Sequence, residues 1–83
     1  MRLAKSVKFR EEKFGGVLFE TRSEKVFTLN PTAGAVIREI QAGRPEHEIG
    51  AVLGKRFEGG EGVIEKEVGA FIATLRQQGL TDE

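Results

Sequence analysis

The chain has 83 residues, 13 Lys/Arg against 13 Asp/Glu, and no cysteine. That length makes one small domain. The missing cysteines exclude a disulfide framework, a thiolate nucleophile, an iron–sulfur cluster and a Cys-ligated zinc site, and the neutral total argues against bulk nucleic-acid binding, which needs a basic face. Twenty-four Val, Ile, Leu and Phe residues suffice for a packed core. No apolar run approaches the ~18–20 residues that span a bilayer, and no signal-peptide core follows Met1-Arg2-Leu3. A cytoplasmic protein without a membrane segment is expected. Charge is unevenly spread: residues 1–30 carry seven Lys/Arg against four Glu, and residues 31–83 carry six against nine acids. Such a bipolar surface suits a peptide or protein partner better than a polyanion.

The first third alternates. Val7-Lys8-Phe9-Arg10-Glu11 puts Val7 and Phe9 on one face and Lys8 and Arg10 on the other, as a half-buried strand does. Phe14-Gly15-Gly16 reads as a turn or bulge, followed by a second strand over Val17-Leu18-Phe19-Glu20. Thr21 to Glu24 is polar turn material. Lys25-Val26-Phe27-Thr28-Leu29, rich in β-branched and aromatic residues, is a third strand.

At Asn30-Pro31 the period changes. Asn30 is a favoured N-cap and Pro31 fits the first helical position. Ala33, Val36, Ile37 and Ile40 form one stripe, and Gly43 ends the helix. Pro45 opens a second helix with Glu46 and Glu48 in its first turn and Ile49, Val52 and Leu53 toward the core. Glu58 to Gly62 reads as a loop. A third helix carries Ile64, Val68, Phe71, Ile72 and Leu75 on one face and closes at Gly79, with Leu80 folding back. The order is β-β-β-α-α-α. Neither the sheet nor the helices can bury their apolar faces alone, so the expected fold is α+β: a winged helix-turn-helix, a three-stranded antiparallel sheet followed by three helices, in one domain over 1–83 with its ordered core at about 7–80.

No catalytic constellation emerges. His47 is the single histidine, in a first helical turn where the flanking glutamates face other directions, so no metal site is expected. Gly59-Gly60-Glu61-Gly62 lacks the strand that would lead into a nucleotide cradle. Glu65 and Glu67 lie on different helix faces and cannot share a proton. The third helix opens Glu61-Gly62-Val63-Ile64-Glu65-Lys66-Glu67, acid that would repel a phosphate backbone. The expectation is a protein that is not an enzyme and has no cofactor and no nucleic-acid partner. One feature is left: a terminal third strand guarded only by Lys25. It is either a short tolerated edge or a place where an extended peptide adds as a further strand.

Taken together, Arg10-Glu11, Gly15-Gly16, Leu29-Asn30, Ile37, Gly43, Ile49, Leu53 and Val68-x-x-Phe71-Ile72-x-x-Leu75-x-x-x-Gly79-Leu80 resemble the PqqD-like family, from about Val7 to Leu80. The resemblance implies a recognition element for ribosomally made, post-translationally modified peptides (RiPPs). Such a module is a non-enzymatic chaperone that binds the leader of a precursor peptide and presents it to a modifying enzyme, often a radical S-adenosylmethionine enzyme. Carried onto this sequence, the resemblance implies leader addition at Lys25, Val26, Phe27, Thr28 and Leu29. One flank of the third helix would be the opposite wall: Gly69 leaving room, Ile72 an apolar contact and Arg76 meeting an acidic leader residue. The other flank (Val63, Glu67, Ala70, Thr74) stays open, because periodicity does not fix the helix's rotation. The sequence departs from the family at Arg44, where a small hydroxyl residue often caps the second helix. A DNA-binding winged-helix regulator and a protein-docking adaptor are the alternatives; steep salt dependence would mark the former.

Overall fold

The computed structural model describes residues 1–57 and 62–82. Among them the elements run β1 (Arg2–Leu3), β2 (Val7–Glu12), β3 (Gly15–Glu20), β4 (Lys25–Leu29), α1 (Pro31–Gln41), α2 (Glu46–Arg56), α3 (Val63–Gln77) and β5 (Thr81–Asp82). The three strands expected from alternation are β2, β3 and β4. They form an antiparallel sheet in that order, and the three helices follow, the expected α+β arrangement. The expected loop at Glu58 to Gly62, with the glycine cradle reading attached to it, lies outside the described residues except for Gly62, which precedes α3 at φ 78.

β1 and β5 have no counterpart in the sequence reading. They pair antiparallel, Arg2 with Asp82 and Leu3 with Thr81, and the Ala4 N–H donates to the Leu80 carbonyl at 2.9 Å. Two-residue strands are too short for alternation to reveal.

Gly15 and Gly16 also depart from expectation. The turn is Lys13-Phe14, and both glycines belong to β3, with Gly15 opposite Glu12 and Gly16 opposite Glu11. They serve close approach. A Cβ on Gly15, whose φ is 138, would sit 2.1 Å from the Leu29 carbonyl oxygen, and one on Gly34 of α1 would sit 2.8 Å from the Gly15 oxygen. Side chains at these positions would push β4 and the start of α1 off the sheet.

The helices begin and end where local chemistry directs. The Asn30 Oδ1 accepts the Ala33 N–H at 2.8 Å, with Pro31 in the first position. At the other end the Gly43 N–H donates to the Ile40 carbonyl and the Arg44 N–H to that of Glu39, both at 3.1 Å, with Gly43 at φ 85. This is a Schellman closure, repeated on α3 by Gly79 and Leu80. Arg44 makes no cap for α2. Its guanidinium instead pairs with the Glu39 carboxylate, whose second oxygen takes Arg56 at 3.2 Å. Glu39 is buried, and hydrogen bonding from Arg44, joined by Arg56, holds its carboxyl below the usual carboxylate range.

The core lies between the sheet and the helices: Leu18 and Leu29 from the sheet, Val36 and Ile37 from α1, Ile49 and Leu53 from α2, Val68 and Leu75 from α3. Val7 and Leu80 are buried with them.

Candidate functional site

The free edge of β4 follows from hydrogen-bond phase. In an antiparallel ladder, directly opposed residues alternate between exchanging both backbone bonds and exchanging none. The Thr21 N–H donates to the Ser6 carbonyl at 2.8 Å, one step beyond the Val7–Glu20 pair. The bonded pairs between β2 and β3 are therefore Lys8–Phe19, Arg10–Val17 and Glu12–Gly15. Leu18, Gly16 and Glu20 then turn their backbone groups to β4, where they oppose Phe27, Leu29 and Lys25. By the same alternation, Val26 and Thr28 direct their N–H and C=O away from the sheet. Among the described residues nothing else bonds these groups.

Side chains alternate across the same strand. Leu29 is buried and Phe27 packs against the core, while Val26, at 60% exposure, and Thr28 face outward. The inner side of β4 thus opens onto α3. At the Leu29 end lies a cavity of about 260 Å³ walled by Leu29, Asn30, Thr32, Ala33, Val36, Glu67 and Phe71, with Thr28 at its rim. At the Lys25 end lies another of about 320 Å³, walled by Glu20, Arg22, Lys25, Phe27, Gln78 and Leu80. Glu67 and Phe71 of α3 and Gln78, its C-cap, lie on one side of the helix, so both cavities lie between β4 and that side and together form the β4 groove.

Two polar devices hold the groove's ends. At one, Asn30 caps α1 with its Oδ1 while its Nδ2 donates to Glu67 Oε1 at 3.1 Å, tying the exit of β4 to α3. At the other, the buried Glu20 carboxylate accepts the Arg22 N–H at 2.5 Å and the Ser23 N–H at 3.0 Å, and also the Ser6 hydroxyl. The Ser6 bond first, and then the backbone bonds, lower the Glu20 pKa. This carboxylate braces the turn from β3 into β4.

The sequence-derived site residues fall in two places. Lys25, Val26, Phe27, Thr28 and Leu29 are all of β4. Gly69, Ile72 and Arg76 instead line a groove between α2 and α3, together with Glu46, Gly50 and Val68. Ile72 is buried in the core, and Arg76 pairs with Glu46, one of its two contacts at 2.8 Å. That bidentate pairing draws the Glu46 pKa down. Of the flank left open in the sequence reading, Glu67 is the residue that meets the β4 groove, and Phe71, assigned there only to the core stripe, stands beside it. His47 is exposed on α2 with its Nε2 3.8 Å from a Glu48 oxygen. Among the described residues no group of three or more His, Asp or Glu could hold a metal ion, and no helix is long and apolar enough to cross a membrane.

A sequence profile for the family described as coenzyme PQQ synthesis protein D (PqqD) matches residues 15–80. No curated protein matches the chain. Two solved structures share the fold. One, described as TbiB1 in complex with the TbiA(beta) leader peptide, has a TM-score of 0.82 at 16% identity, covering 96% of this chain and 93% of that one. The other, described as lasso peptide synthetase B1 complexed with the leader peptide, has a TM-score of 0.78 at 23% identity, covering 95% and 93%.

Proposed function

The chain belongs to the coenzyme PQQ synthesis protein D (PqqD) family, and on that footing we propose that it is a non-enzymatic chaperone that captures the leader of a ribosomally made precursor peptide by strand addition to β4. It works in the cytoplasm and presents the captured peptide to a modifying enzyme of the radical S-adenosylmethionine class. The observation that carries the reading is the pair of outward-directed backbone groups at Val26 and Thr28 beside a groove with Phe27, Leu29 and Phe71 on its walls. The two leader-bound proteins of the same fold support it.

The energetics fit a peptide that needs both backbone and side chains. Val26 and Thr28 offer two N–H and two C=O groups, and four bonds at about 0.5–1.5 kcal/mol each contribute roughly 2–6 kcal/mol. Ordering a disordered leader costs about 2–5 kcal/mol or more. Backbone pairing alone therefore barely binds. Micromolar affinity, about 8 kcal/mol, requires apolar leader side chains in the groove between β4 and the Glu67–Phe71 stripe. These side chains would decide which leader is accepted.

An amide NMR titration of the labelled protein with leader peptides encoded beside its gene tests the reading. The expected shifts concentrate at Val26, Thr28, Asn30, Glu67 and Phe71. Shifts confined to Gly50, Gly69 and Ala73 would move the site to the α2–α3 groove, and shifts with duplex DNA but with no leader would replace the reading with the regulator.

A further inference from the structure

The groove beside β4 is electrically bipolar, and this bears on which peptides can enter it. At the Leu29 end, Glu67 is the one ionisable side chain lining a cavity whose other walls are Leu29, Ala33, Val36 and Phe71 with the neutral polar Thr28, Asn30 and Thr32. One of its oxygens accepts the Asn30 amide, and no Lys or Arg among the described residues pairs with it. At the other end, Arg22 and Lys25 line the second cavity; neither side chain is in direct contact with a carboxylate among the described residues, and Arg22 is close enough to Glu20 to add a weak electrostatic contribution to its lowered pKa. The one carboxylate there, Glu20, is buried and engaged by Ser6 and the turn backbone. Between these poles the wall is Phe27, Leu29 and Phe71.

The proposal rests on strand addition at β4 and deepens it. An added strand directly opposite β4 shares its face alternation, so peptide side chains opposite Leu29, Phe27 and Lys25 enter the groove while those between them face outward. In antiparallel addition, which continues the pattern of the whole sheet, the peptide's N-terminal side meets Leu29 and its C-terminal side meets Lys25. We infer that the groove selects an extended peptide reading basic–x–apolar–x–acidic from N to C, bound antiparallel to β4. The basic side chain would lay its aliphatic stem along Phe71 and Ala33 and end at Glu67. The apolar one packs on Phe27, and the acidic one lies directly across from Lys25 with Arg22 beside it. Lys25 and Leu29 are roughly 13 Å apart along the strand, so the two charges must be four residues apart. A reversed charge order would set like charges together at both ends.

Two synthetic peptides of equal composition test this, one containing Lys-Thr-Leu-Thr-Glu and the other Glu-Thr-Leu-Thr-Lys between neutral flanks. Affinity is read by fluorescence anisotropy at low salt, and the binding place by amide shifts at Val26 and Thr28. The first peptide is expected to bind at least fivefold tighter. The preference should shrink with added salt and reverse in the Glu67→Lys/Lys25→Glu double variant. Lys25→Gln alone, a change at an exposed position, should at least halve it if the double variant does not fold. Equal affinities with shifts at Val26 and Thr28 overturn the charge rule and leave strand addition standing; tighter binding of the reversed peptide overturns the stated direction. Absence of shifts at β4 with both peptides and with encoded leaders brings down strand addition itself, and the charge rule with it.

Discussion

The sheet has two edges, and they are built differently. β2 carries Lys8, Arg10, Glu11 and Glu12 among its six residues. Glu11 is held by Arg38 of α1 at 2.8 Å and Glu12 by Arg10 at 2.5 Å, and the Val7 N–H is consumed by the Ala4 carbonyl at 3.0 Å. Charge and local bonds of this kind blunt an edge against further pairing. β4 carries only Lys25, has no ion pair among the described residues, and turns the backbone of Val26 and Thr28 outward beside a groove. A protein that needed only to avoid aggregation would protect both edges. Protecting one and leaving the other open beside an apolar wall is the pattern of a strand acceptor.

Proline makes the largest test of that contrast, because it removes one N–H without adding charge. Val26→Pro should weaken leader binding at least tenfold with the fold intact by circular dichroism. Glu11→Pro, which removes an outward N–H from the other edge, should leave leader affinity within twofold. Phe27→Pro removes a bond to Leu18 inside the sheet instead, and should cost about 2 kcal/mol or more in stability, roughly 8–16 °C in Tm. If Val26→Pro and Glu11→Pro bind the leader equally well, the two edges do not differ in function.

Acid should loosen the β4 side before the β2 side. The folded Glu20 carboxyl has a lowered pKa, so the unfolded chain takes up this proton more readily than the folded one. The stabilisation is complete above the ordinary carboxylate pKa and is lost as pH falls from there through the folded value. Amide exchange over Thr21 to Val26, taken relative to its intrinsic rate at each pH, is therefore expected to rise on acidification before that of Lys8 to Glu12, and Glu20→Gln should abolish the difference in pH response. Equal rises in both segments in the parent protein would remove Glu20 as the brace of β4.

The smallest effect discriminates the flanks of α3. A Cβ on Gly69 meets nothing within 4 Å, so Gly69→Ala should stabilise the helix by roughly 0.5–1 kcal/mol and leave leader affinity unchanged. Weakened binding in this variant would show that the leader reaches the α2–α3 side.

Much of the architecture is legible in the amino-acid sequence. Asn30-Pro31, Gly43 and Gly79-Leu80 start and stop helices through bonds made within a few residues, and alternation from Val7 to Leu29 needs only neighbouring side chains, so local chemistry suffices for both. The Gly15-Gly16 pair suggests a turn or bulge, yet both glycines lie in β3, where Gly15 is required by Leu29 and Gly34 and Gly16 by Phe9 across the hairpin. The third helix was correct in extent and in most of its buried stripe, yet a stripe has two flanks. Gly69, Ile72 and Arg76 are drawn to α2, Arg76 by its ion pair with Glu46, and Glu67 and Phe71 are left to face β4.

The amino-acid sequence by itself determined the elements, their order, the apolar faces and the presence of a weakly guarded strand, because each depends on periodicity and capping over a few residues. Tertiary structure alone decided which backbone groups of that strand point outward and which side of α3 stands opposite them. Ladder phase follows from the pairing register across three strands, with the Thr21–Ser6 bond as its marker, and helix rotation is chosen by packing against α1 and α2. Neither quantity is encoded in any local stretch of chain.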